Sequence, residues 1–402
     1  MPYIGSIDQG TSSTRFLIFD SDTGKVVASS QTEVTHITPK SGWLELDPEE
    51  IYQTVVSTIK TVLSQNPDVR PISSIGITNQ RESTILWDKT TKKALHNAII
   101  WCDARTQETV KKINQENSEN PRYNSEYADF ETYIKTTTGL PVSTYFSATK
   151  ARWMLDNIES VKSCNSAGNC MFGTIDTWLM YKLSNGKVHA TDATNASRTL
   201  LYDINTNQWS GDLVKLFKVE GLKLPEVKPS SCDEFCKIED EQLEGVIGVK
   251  ITGVLGDQQA ALVGQKCLTS GELKNTYGTG CFLLQNTGTE RIFSKNGLLT
   301  TVGYQKQNGE FVYAIEGSIG VAGLLIRWLR DQLEFFKDTR EVETMAKTVE
   351  DSGGVYIVPA FSGLFCPYWA SDARGVICGL TQFSNKNHIA RAALEAVAWQ
   401  VQ

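Results

Sequence analysis

"YIGSIDQGTSSTRFLIFD", residues 3 to 20, predicts a strand, a turn made of glycine and hydroxyl side chains, and a second strand. A third strand is expected at residues 26 to 30, after the turn "DSDTG". The same shape returns at residues 273 to 288, where "LKNTYGTGCFLLQNTG" places a Gly/Thr-rich turn between two strand-like segments. Such turns bring backbone N–H groups and small side chains to one point, as a phosphate site requires. The chain is therefore predicted to contain two domains that each begin with such a hairpin.

Helix and strand patterns alternate between these two hairpins. "LDPEEIYQTVVSTIKTVL" predicts a helix capped by Asp47, since a proline takes the first helical position and apolar residues recur at helical spacing. "SATKARWMLDNIESV" predicts another helix with Ser147 as its cap, and the polar residues 114–132 are expected to form a surface insertion or a mobile loop. We predict an α/β protein with domains at residues 1–252 and 253–402. The second domain is expected to be incomplete, because the last helix has no C-cap glycine.

Composition and charge exclude several classes of protein. The net charge is −7 and no long basic run occurs, which argues against nucleic acid as a partner. No apolar stretch is long enough for a membrane span, and the N-terminus lacks the features of a signal peptide. The nine cysteines are scattered without a CxxC pair, and we interpret them as reduced thiols of a cytoplasmic protein.

The turn "DQGTSST" admits two interpretations. A phosphate cradle would use the close approach that Gly10 allows, the positive charge of Arg15, and Asp8 near Mg²⁺. The hydroxyls would come from Thr11, Ser12 and Ser13. An ordinary hairpin turn would use the same residue types, and taken alone the letters favour the turn. The "GTG" around Thr279 carries the same ambiguity, and the GKS or GKT of a P-loop does not occur in "DQGTSST".

Residues 78 to 83, "TNQRES", place Arg81 beside Glu82 at the end of an apolar strand. A donor and an acceptor side by side suit a polyol, which needs both. Trp101 and Tyr145 would give such a ligand an apolar wall and a polar tip. The alternatives are a solvated ion pair for the first two residues and core packing for the two aromatic rings, and the letters alone favour these alternatives.

Asp257 follows a glycine in "GVLGDQQAALVG", where a strand ends and a helix is expected to begin. A carboxylate at a helix N-terminus is stabilised by the exposed N–H groups, by about 0.3–1 kcal/mol. Capping is therefore the simpler interpretation. The alternative is a general base that removes a proton from an attacking hydroxyl.

Seven segments, taken in order, carry a resemblance that none of them carries alone. They are "DQGTSSTR", "TNQRES", "YFSATKARWMLDN", "GDQQAAL", "KNTYGTGCFLL", "EGSIGVAGLLIRWLRD" and "GVICGL…HIARAALEAVAW". In this order and register the chain resembles the FGGY family of carbohydrate kinases over essentially its whole length. "NQRE" is the discriminating piece, because pentulose kinases of the family usually carry a different motif there.

The resemblance implies an actin-like ATPase fold of the ribonuclease H type, with two domains around a central cleft. It implies ATP and Mg²⁺ as cofactors and phosphorylation of glycerol to sn-glycerol 3-phosphate. The family's segment for the adenine lies downstream of "ALEAVAW", so part of the ATP site is expected to be absent from this chain. The resemblance is also compatible with a homodimer or a homotetramer.

The resemblance also assigns roles position by position. Residues expected to bind the glycerol hydroxyls are Arg81, Glu82, Tyr145 and Asp257, with Gln258 assisting. Trp101 and Phe282 would flank the carbon backbone, and Asp257 would be the catalytic base. Residues expected to hold the nucleotide are Thr11, Ser12, Ser13, Arg15, Thr279, Gly323 and Arg327, with Asp8 near the metal. Arg327 stands where some members have glutamine.

Two other functions stay open at this point. The chain could phosphorylate another small polyol or a pentulose, which a panel of substrates would reveal. It could also be a glycerol-binding module without catalysis, in which case glycerol would bind without turnover.

Overall fold

The structure is a computed structural model that describes residues 3–120 and 126–402. Six strands of the described residues form one sheet, in the order Ser231–Lys237, Lys250–Gly256, Ile72–Asn79, Tyr3–Gln9, Ser13–Asp20 and Val26–Glu33. One antiparallel pair lies at the first side of the sheet, between Ser231–Lys237 and Lys250–Gly256, and two lie at the other side, between Tyr3–Gln9, Ser13–Asp20 and Val26–Glu33. The three strands at residues 3–20 and 26–33 confirm the predicted opening hairpin and its third strand.

Three parallel strands of this sheet end side by side. Tyr3–Gln9 and Lys250–Gly256 both run parallel to Ile72–Asn79, one on each side of it. In register, Asn79 lies opposite Gln9 on one neighbour and opposite Gly256 on the other. Because parallel strands carry their carboxyl ends to the same edge, the turn after Gln9, the "QRE" segment and Asp257 all begin at that edge.

A second sheet contains four antiparallel strands, in the order Leu273–Tyr277, Cys281–Gly288, Phe311–Ile319 and Leu299–Gln305. The first two strands form the predicted hairpin around "GTG". The predicted boundary at residues 252 and 253 falls inside the strand Lys250–Gly256, which belongs to the first sheet, and it stays a prediction.

The remaining strands form two-stranded sheets that pair Glu45–Leu46 with Ala98–Ile99, Ile85–Asp88 with Cys170–Gly173, Ala190–Asp192 with Glu226–Lys228, Tyr202–Asp203 with Gln208–Trp209, and Tyr356–Val358 with Val376–Cys378. The helices of the described residues are Pro48–Gln65, Gln107–Asn117, Phe130–Thr138, Ser147–Asn157, Glu159–Ser166, Ile175–Leu183, Ala193–Ala196, Gly211–Leu216, Asp257–Gly264, Gly323–Asp331, Glu341–Lys347 and Lys386–Val401, with a 3-10 helix at Glu241–Val246.

The helix Pro48–Gln65 shows how the sequence pattern builds the core. Its apolar face is fully buried and packs against the first sheet at the strands Ser13–Asp20 and Val26–Glu33. The Asp47 side chain accepts the N–H of Glu49, which confirms the predicted cap. All nine cysteines are free thiols, as predicted.

One local prediction was wrong. Ser147 is the first residue of its helix and not the cap, a position that Phe146 takes. Its hydroxyl donates instead to the backbone carbonyl of Glu82 at 3.1 Å, so it supports a predicted site residue. The predicted insertion at residues 114–132 includes the end of the helix Gln107–Asn117 and the start of the helix Phe130–Thr138, and its described residues are mostly exposed. Residues 121–125 of that insertion lie outside the described residues.

Candidate functional site

One cavity of about 470 Å³ brings the predicted site residues together. It is lined by every one of them except Gly323: Asp8, Thr11, Ser12, Ser13, Arg15, Arg81, Glu82, Trp101, Tyr145, Asp257, Gln258, Thr279, Phe282 and Arg327. Gly10, Thr78, Ala260, Ala261, Thr276 and Gly278 complete the lining. The first hairpin turn, the "QRE" segment and Asp257 converge because the register of the first sheet ends three parallel strands at one edge, and the second hairpin turn lines the same cavity.

The first hairpin turn keeps its hydroxyls at the cavity. The backbone N–H of Gly10 donates to the Ser13 carbonyl at 2.9 Å and closes the turn. Thr11 Oγ1 accepts the indole N–H of Trp101 at 2.8 Å. Arg15 Nη1 donates to Asp8 Oδ2 at 3.0 Å, and the Arg15 side chain is 44% exposed. An exposed cation and small donors therefore line this end, as a polyanionic ligand would require.

The second hairpin turn receives the N-terminus of the helix Gly323–Asp331. The Gly323 N–H donates to the Gly278 carbonyl at 2.9 Å, and the Leu324 N–H donates to the Thr279 carbonyl at 3.2 Å. A Cβ at Gly323 would stand 2.6 Å from the Gly278 carbonyl oxygen, so only glycine fits there. Gly323 thus contacts Gly278, which lines the cavity, but does not line the cavity itself. Its predicted contact with the nucleotide stays a prediction.

Arg327, on the same helix, connects the two turns. Its Nη1 donates to Ser12 Oγ at 2.8 Å, so a residue of the second half of the chain touches the first hairpin turn. Both groups face the end of the cavity that carries Arg15. The guanidinium adds a second positive charge to that end.

Arg81 is buried and held by charge on several sides. Its two terminal nitrogens donate to the two carboxylate oxygens of Glu316, at 2.6 and 2.9 Å. Its Nε lies 3.4 Å from Asp257 Oδ1. Burial opposes the charge, but Glu316 and Glu82 raise the pKa of Arg81 above its ordinary value, so the guanidinium stays ionised.

Glu82 is buried beside Arg81 and has left-handed backbone geometry, with φ of 59°. This strained conformation turns its side chain toward Arg198, whose Nε donates to Glu82 Oε1 at 2.6 Å. Arg198 is fully buried and also donates to Glu316 at 3.2 Å. The predicted pair is therefore part of a larger buried ion network.

Aromatic rings form a wall of the cavity near this network. Trp101 contacts Tyr145 and Phe282 edge to face, with ring centroids 5.7 Å apart in both pairs. Phe365 packs against Tyr145 at 4.9 Å and extends the wall. Edge-to-face packing fixes the ring planes, so the wall is rigid where it meets the cavity.

Asp257 is the first residue of the helix Asp257–Gly264, and Gly256 takes the cap position. Its Oδ1 accepts the Gln258 N–H at 2.8 Å, and its side chain is 34% exposed where it lines the cavity. Burial raises the pKa of the Asp257 carboxyl to about 6, although the charge of Arg81 acts in the opposite direction. A Cβ at Gly256 would stand 2.7 Å from Arg81 Cγ and Cδ, so this glycine leaves room for the guanidinium stem.

Gln258 is held by a buried lysine. Lys274 Nζ donates to Gln258 Oε1 at 2.6 Å and to the Phe282 carbonyl at 3.2 Å. Burial and the nearby charge of Arg81 lower the pKa of Lys274 to about 8. Lys274 therefore supplies a further positive charge close to Asp257, whose pKa it lowers.

Sequence reasoning missed four of these residues: Arg198, Lys274, Glu316 and Phe365. The signal available for Glu316 was a single carboxylate inside the apolar strand "FVYAIEGSI". A buried acid needs a partner, so this letter alone could have indicated an ion pair. Lys274 and Phe365 carried no signal above an ordinary strand or core residue.

The cavity offers two chemically different ends. One end has aromatic rings with a buried guanidinium and carboxylate, which suits a small polyol. The other end has hydroxyls, turn N–H groups and exposed guanidinium groups, which suits phosphates. Asp257 touches Arg81 at the first end, and the charge of Asp8 reaches it from the second. A carboxylate that titrates near neutral pH at this position can accept a proton.

The described part of the chain holds no group of three or more His, Cys, Asp or Glu side chains arranged to bind a metal ion. Asp8 is the predicted metal contact, and its side chain is 28% exposed at the phosphate-like end. Mg²⁺ in nucleotide sites takes one or two carboxylates and completes its shell with phosphate oxygens and waters. The single carboxylate of Asp8 fits that requirement.

Comparison with known proteins gives one consistent picture. The profile of the FGGY family of carbohydrate kinases, N-terminal domain, matches residues 3–264, and that of the C-terminal domain matches residues 273–402. A glycerol kinase of Brucella anthropi is 50% identical, over 100% of this chain and 78% of its own length. Glycerol kinases of Pseudarthrobacter chlorophenolicus and Clavibacter michiganensis are 48% identical, each over 77% of its own length.

Solved structures confirm the predicted fold. A Plasmodium falciparum glycerol kinase with ADP superposes with a TM-score of 0.81 at 39% identity, covering 100% of this chain and 77% of its own. A xylulose kinase from Lactobacillus acidophilus superposes with a TM-score of 0.79 at 23% identity, covering the same shares. The fold is the predicted actin-like, two-domain α/β fold with a central cleft.

Within residues 3–120 and 126–402, no helix has the length and apolar character needed to cross a membrane.

Proposed function

The chain belongs to the FGGY family of carbohydrate kinases, and from this premise we propose that it transfers the γ-phosphoryl group of ATP to glycerol, giving sn-glycerol 3-phosphate. The observation that carries the proposal is the 3.4 Å approach of Arg81 Nε to Asp257 Oδ1, in a cavity whose other end is lined by hydroxyls and cations. The similar glycerol kinases, at up to 50% identity, support glycerol over other small polyols.

The substrate would bind at the aromatic end. Arg81, Glu82 and Tyr145 would bind its hydroxyls by donating and accepting hydrogen bonds, with Gln258 assisting. Trp101 and Phe282 would cover the faces of its three-carbon chain, because C–H groups favour contact with aromatic rings over water. Since these groups are buried and already oriented, binding would cost little side-chain entropy.

The nucleotide phosphates would lie against the two hairpin turns. Thr11, Ser12 and Ser13 supply small donors, and Arg15 supplies an exposed positive charge. Thr279, Gly323 and Arg327 would contact the nucleotide from the second half of the chain. The contact between Arg327 and Ser12 already joins these two turns, so phosphates entering there would meet donors from both sides.

Asp257 would act as the general base. Its carboxylate would accept the proton of the hydroxyl that attacks phosphorus, and its raised pKa suits that transfer at neutral pH. Asp8 would hold Mg²⁺, which would offset the negative charge of the phosphates. Most of the rate acceleration would come from positioning and from stabilising the phosphoryl charge.

Three further predictions accompany this function. We propose that the domains divide at residues 252 and 253, that the protein is a homodimer or homotetramer, and that it works in the cytoplasm. Limited proteolysis, light scattering on a size-exclusion column and cell fractionation test these predictions in turn.

A substrate panel with coupled ADP detection tests the proposed function. Glycerol, erythritol and xylulose would be compared at equal concentrations with ATP and Mg²⁺. We expect kcat/KM for glycerol to exceed the others by roughly two orders of magnitude, because each unpaired buried polar group or misfitted carbon costs transition-state binding. A preference for xylulose would assign another substrate, and glycerol binding by calorimetry without any turnover would assign a non-catalytic module.

A further inference from the structure

A buried network of four charged side chains lies behind the substrate end of the cavity. Its members are Arg81, Glu82, Arg198 and Glu316, each at most 2% exposed. Two positive and two negative charges balance inside it. Arg198 and Glu316 do not line the cavity, so their contacts to the other two residues are what connects them to the site.

Glu316, with Gln259 and Tyr145, accepts the hydrogen bonds of the terminal nitrogens of Arg81. The two Arg81 terminal nitrogens carry four N–H groups, and they donate to both Glu316 oxygens, to Gln259 Oε1 at 3.2 Å and to Tyr145 Oη at 3.5 Å. The fifth donor is the Nε–H, whose nitrogen lies 3.4 Å from Asp257 Oδ1. That distance exceeds a usual N–H···O bond, so the Nε–H is the donor left for a ligand hydroxyl beside Asp257.

Arg198 binds one of the two carboxylate oxygens of Glu82. It donates from Nε to Glu82 Oε1 at 2.6 Å, and no described residue donates to the other oxygen, Oε2. Its second contact is to Glu316 Oε1 at 3.2 Å. Its guanidinium carbon also lies 5.6 Å from the centroid of the Tyr145 ring. Arg198 thus contacts both Glu82 and Tyr145, two residues that are predicted to bind the substrate.

The network joins the two sheets of the molecule. Arg81 follows the strand Ile72–Asn79 of the first sheet, and Glu316 lies on the strand Phe311–Ile319 of the second. Ser318 Oγ donates to Glu316 Oε1 at 2.6 Å and fixes the carboxylate from its own strand. Burial opposes ionisation of Glu316, but Arg198 and Arg81 lower its pKa to about 2, so it stays charged.

We propose that Glu316 and Arg198 are positioning residues that present one atom each of Arg81 and Glu82 to the substrate, namely the Arg81 Nε–H and Glu82 Oε2. The proposal rests on the proposed function, because it names how the same polyol end is held. Without the Glu316 carboxylate, the Arg81 guanidinium would turn toward Asp257, whose Oδ1 already lies 3.4 Å from Arg81 Nε. The substrate would then lose its donor, and Asp257 would gain a closer positive charge.

The alternative is that the network only holds the two sheets together. That role predicts lower thermal stability with equal effects on both substrates. The positioning role instead predicts weaker binding of glycerol and unchanged binding of ATP, since the network contacts only the substrate end of the cavity.

The test compares Glu316→Gln with wild type, measuring KM for each substrate and the pH dependence of kcat. The amide keeps the shape but places an N–H₂ against one Arg81 nitrogen. We expect the glycerol KM to rise about tenfold or more and the ATP KM to stay within about twofold. The acidic limb of the kcat profile should move to lower pH, because Arg81 approaches Asp257. The matched control is Glu310→Gln, whose carboxylate is exposed and paired with Lys306, and it should leave all three quantities unchanged.

A second variant keeps the proposal testable if Glu316→Gln does not fold. Ser318→Ala keeps every charge and removes one hydrogen bond to Glu316, and we expect it to raise the glycerol KM about threefold. An unchanged glycerol KM in the variant that folds, or an equal rise of both KM values, would overturn the proposal while leaving the proposed function intact. Absence of glycerol turnover in wild type would overturn both.

Discussion

Arg81 Nε and Asp257 Oδ1 lie 3.4 Å apart, at the carboxyl ends of two neighbouring parallel strands. The approach is possible because Gly256 has no Cβ to displace the Arg81 stem. A hydroxyl bound beside both atoms would be oriented by a donor and faced by a proton acceptor at once. The account of this protein as a polyol kinase depends on that juxtaposition.

The pH dependence of turnover follows from the Asp257 pKa. Burial raises this pKa to about 6, and a general base works in its deprotonated form, so kcat/KM for glycerol should fall as pH drops through about 6, because kcat/KM reports the pKa values of the free enzyme. Above that pH the base is ionised and kcat/KM should level off. Initial rates at low glycerol and saturating ATP, from about pH 5 to pH 8, measure this. A rate that stays flat across that range would remove Asp257 as the titrating base.

Arg81→Ala should impair glycerol binding above all. We expect the glycerol KM to rise by roughly 10- to 100-fold, because a charge-assisted hydrogen bond to the substrate is lost. The ATP KM should stay close to the wild-type value. Removing one member of a buried ion pair also costs about 3–5 kcal/mol of stability, so folding must be checked by circular dichroism.

The matched control for Arg81 is Arg15→Ala at the opposite end of the cavity. Arg15 is 44% exposed and pairs with Asp8, so its removal should raise the ATP KM and spare the glycerol KM. If both variants affected the two KM values alike, the assignment of two separate ends would be wrong.

Gly256→Ala tests the space that Arg81 needs. The added methyl would stand 2.7 Å from Arg81 Cγ and Cδ, so the guanidinium must shift, and kcat/KM for glycerol should fall by about tenfold or more. Gly264→Ala is the control, since a Cβ at this other end of the helix meets nothing within 4 Å. Equal activity of the two variants would show that Arg81 does not need its observed position.

The sequence predicted the parts of the fold that local chemistry determines. Hydroxyl-rich turns between strands appear at both predicted hairpins, and the Asp47 cap starts its helix as expected. "NQRE" and "GDQQ" drew attention because each places polar side chains at the end of an apolar strand, but their roles at a substrate site came from the family resemblance. Their convergence needed the register of the sheet, which no single segment contains.

The residues that escaped prediction act through partners far away in the sequence. Glu316 and Arg198 look like single charges in their own segments, and they gain meaning only when the two sheets bring them to Arg81 and Glu82. The Ser147 hydroxyl likewise donates to the Glu82 carbonyl, which lies far away in the sequence, and Ser147 itself is the first residue of its helix rather than the cap. Local propensity cannot anticipate such contacts.

Asp257→Asn keeps the size of the side chain and removes the base. The folded-state pKa of Asp257 is raised, so ionisation between its ordinary pKa and about pH 6 lowers the stability of the native state. The neutral amide removes that cost, and the melting temperature at pH 7 should be unchanged or higher. Asp331→Asn changes an exposed carboxylate at the end of the helix Gly323–Asp331, and this control should retain wild-type activity.

The most direct test is kcat for glycerol phosphorylation by the Asp257→Asn protein, measured by ADP release at pH 7.5 beside wild type. The account predicts a loss of roughly a thousandfold, because proton transfer by a positioned base contributes about 10²–10⁴ to the rate. A folded Asp257→Asn protein whose kcat stays within about tenfold of wild type would contradict it.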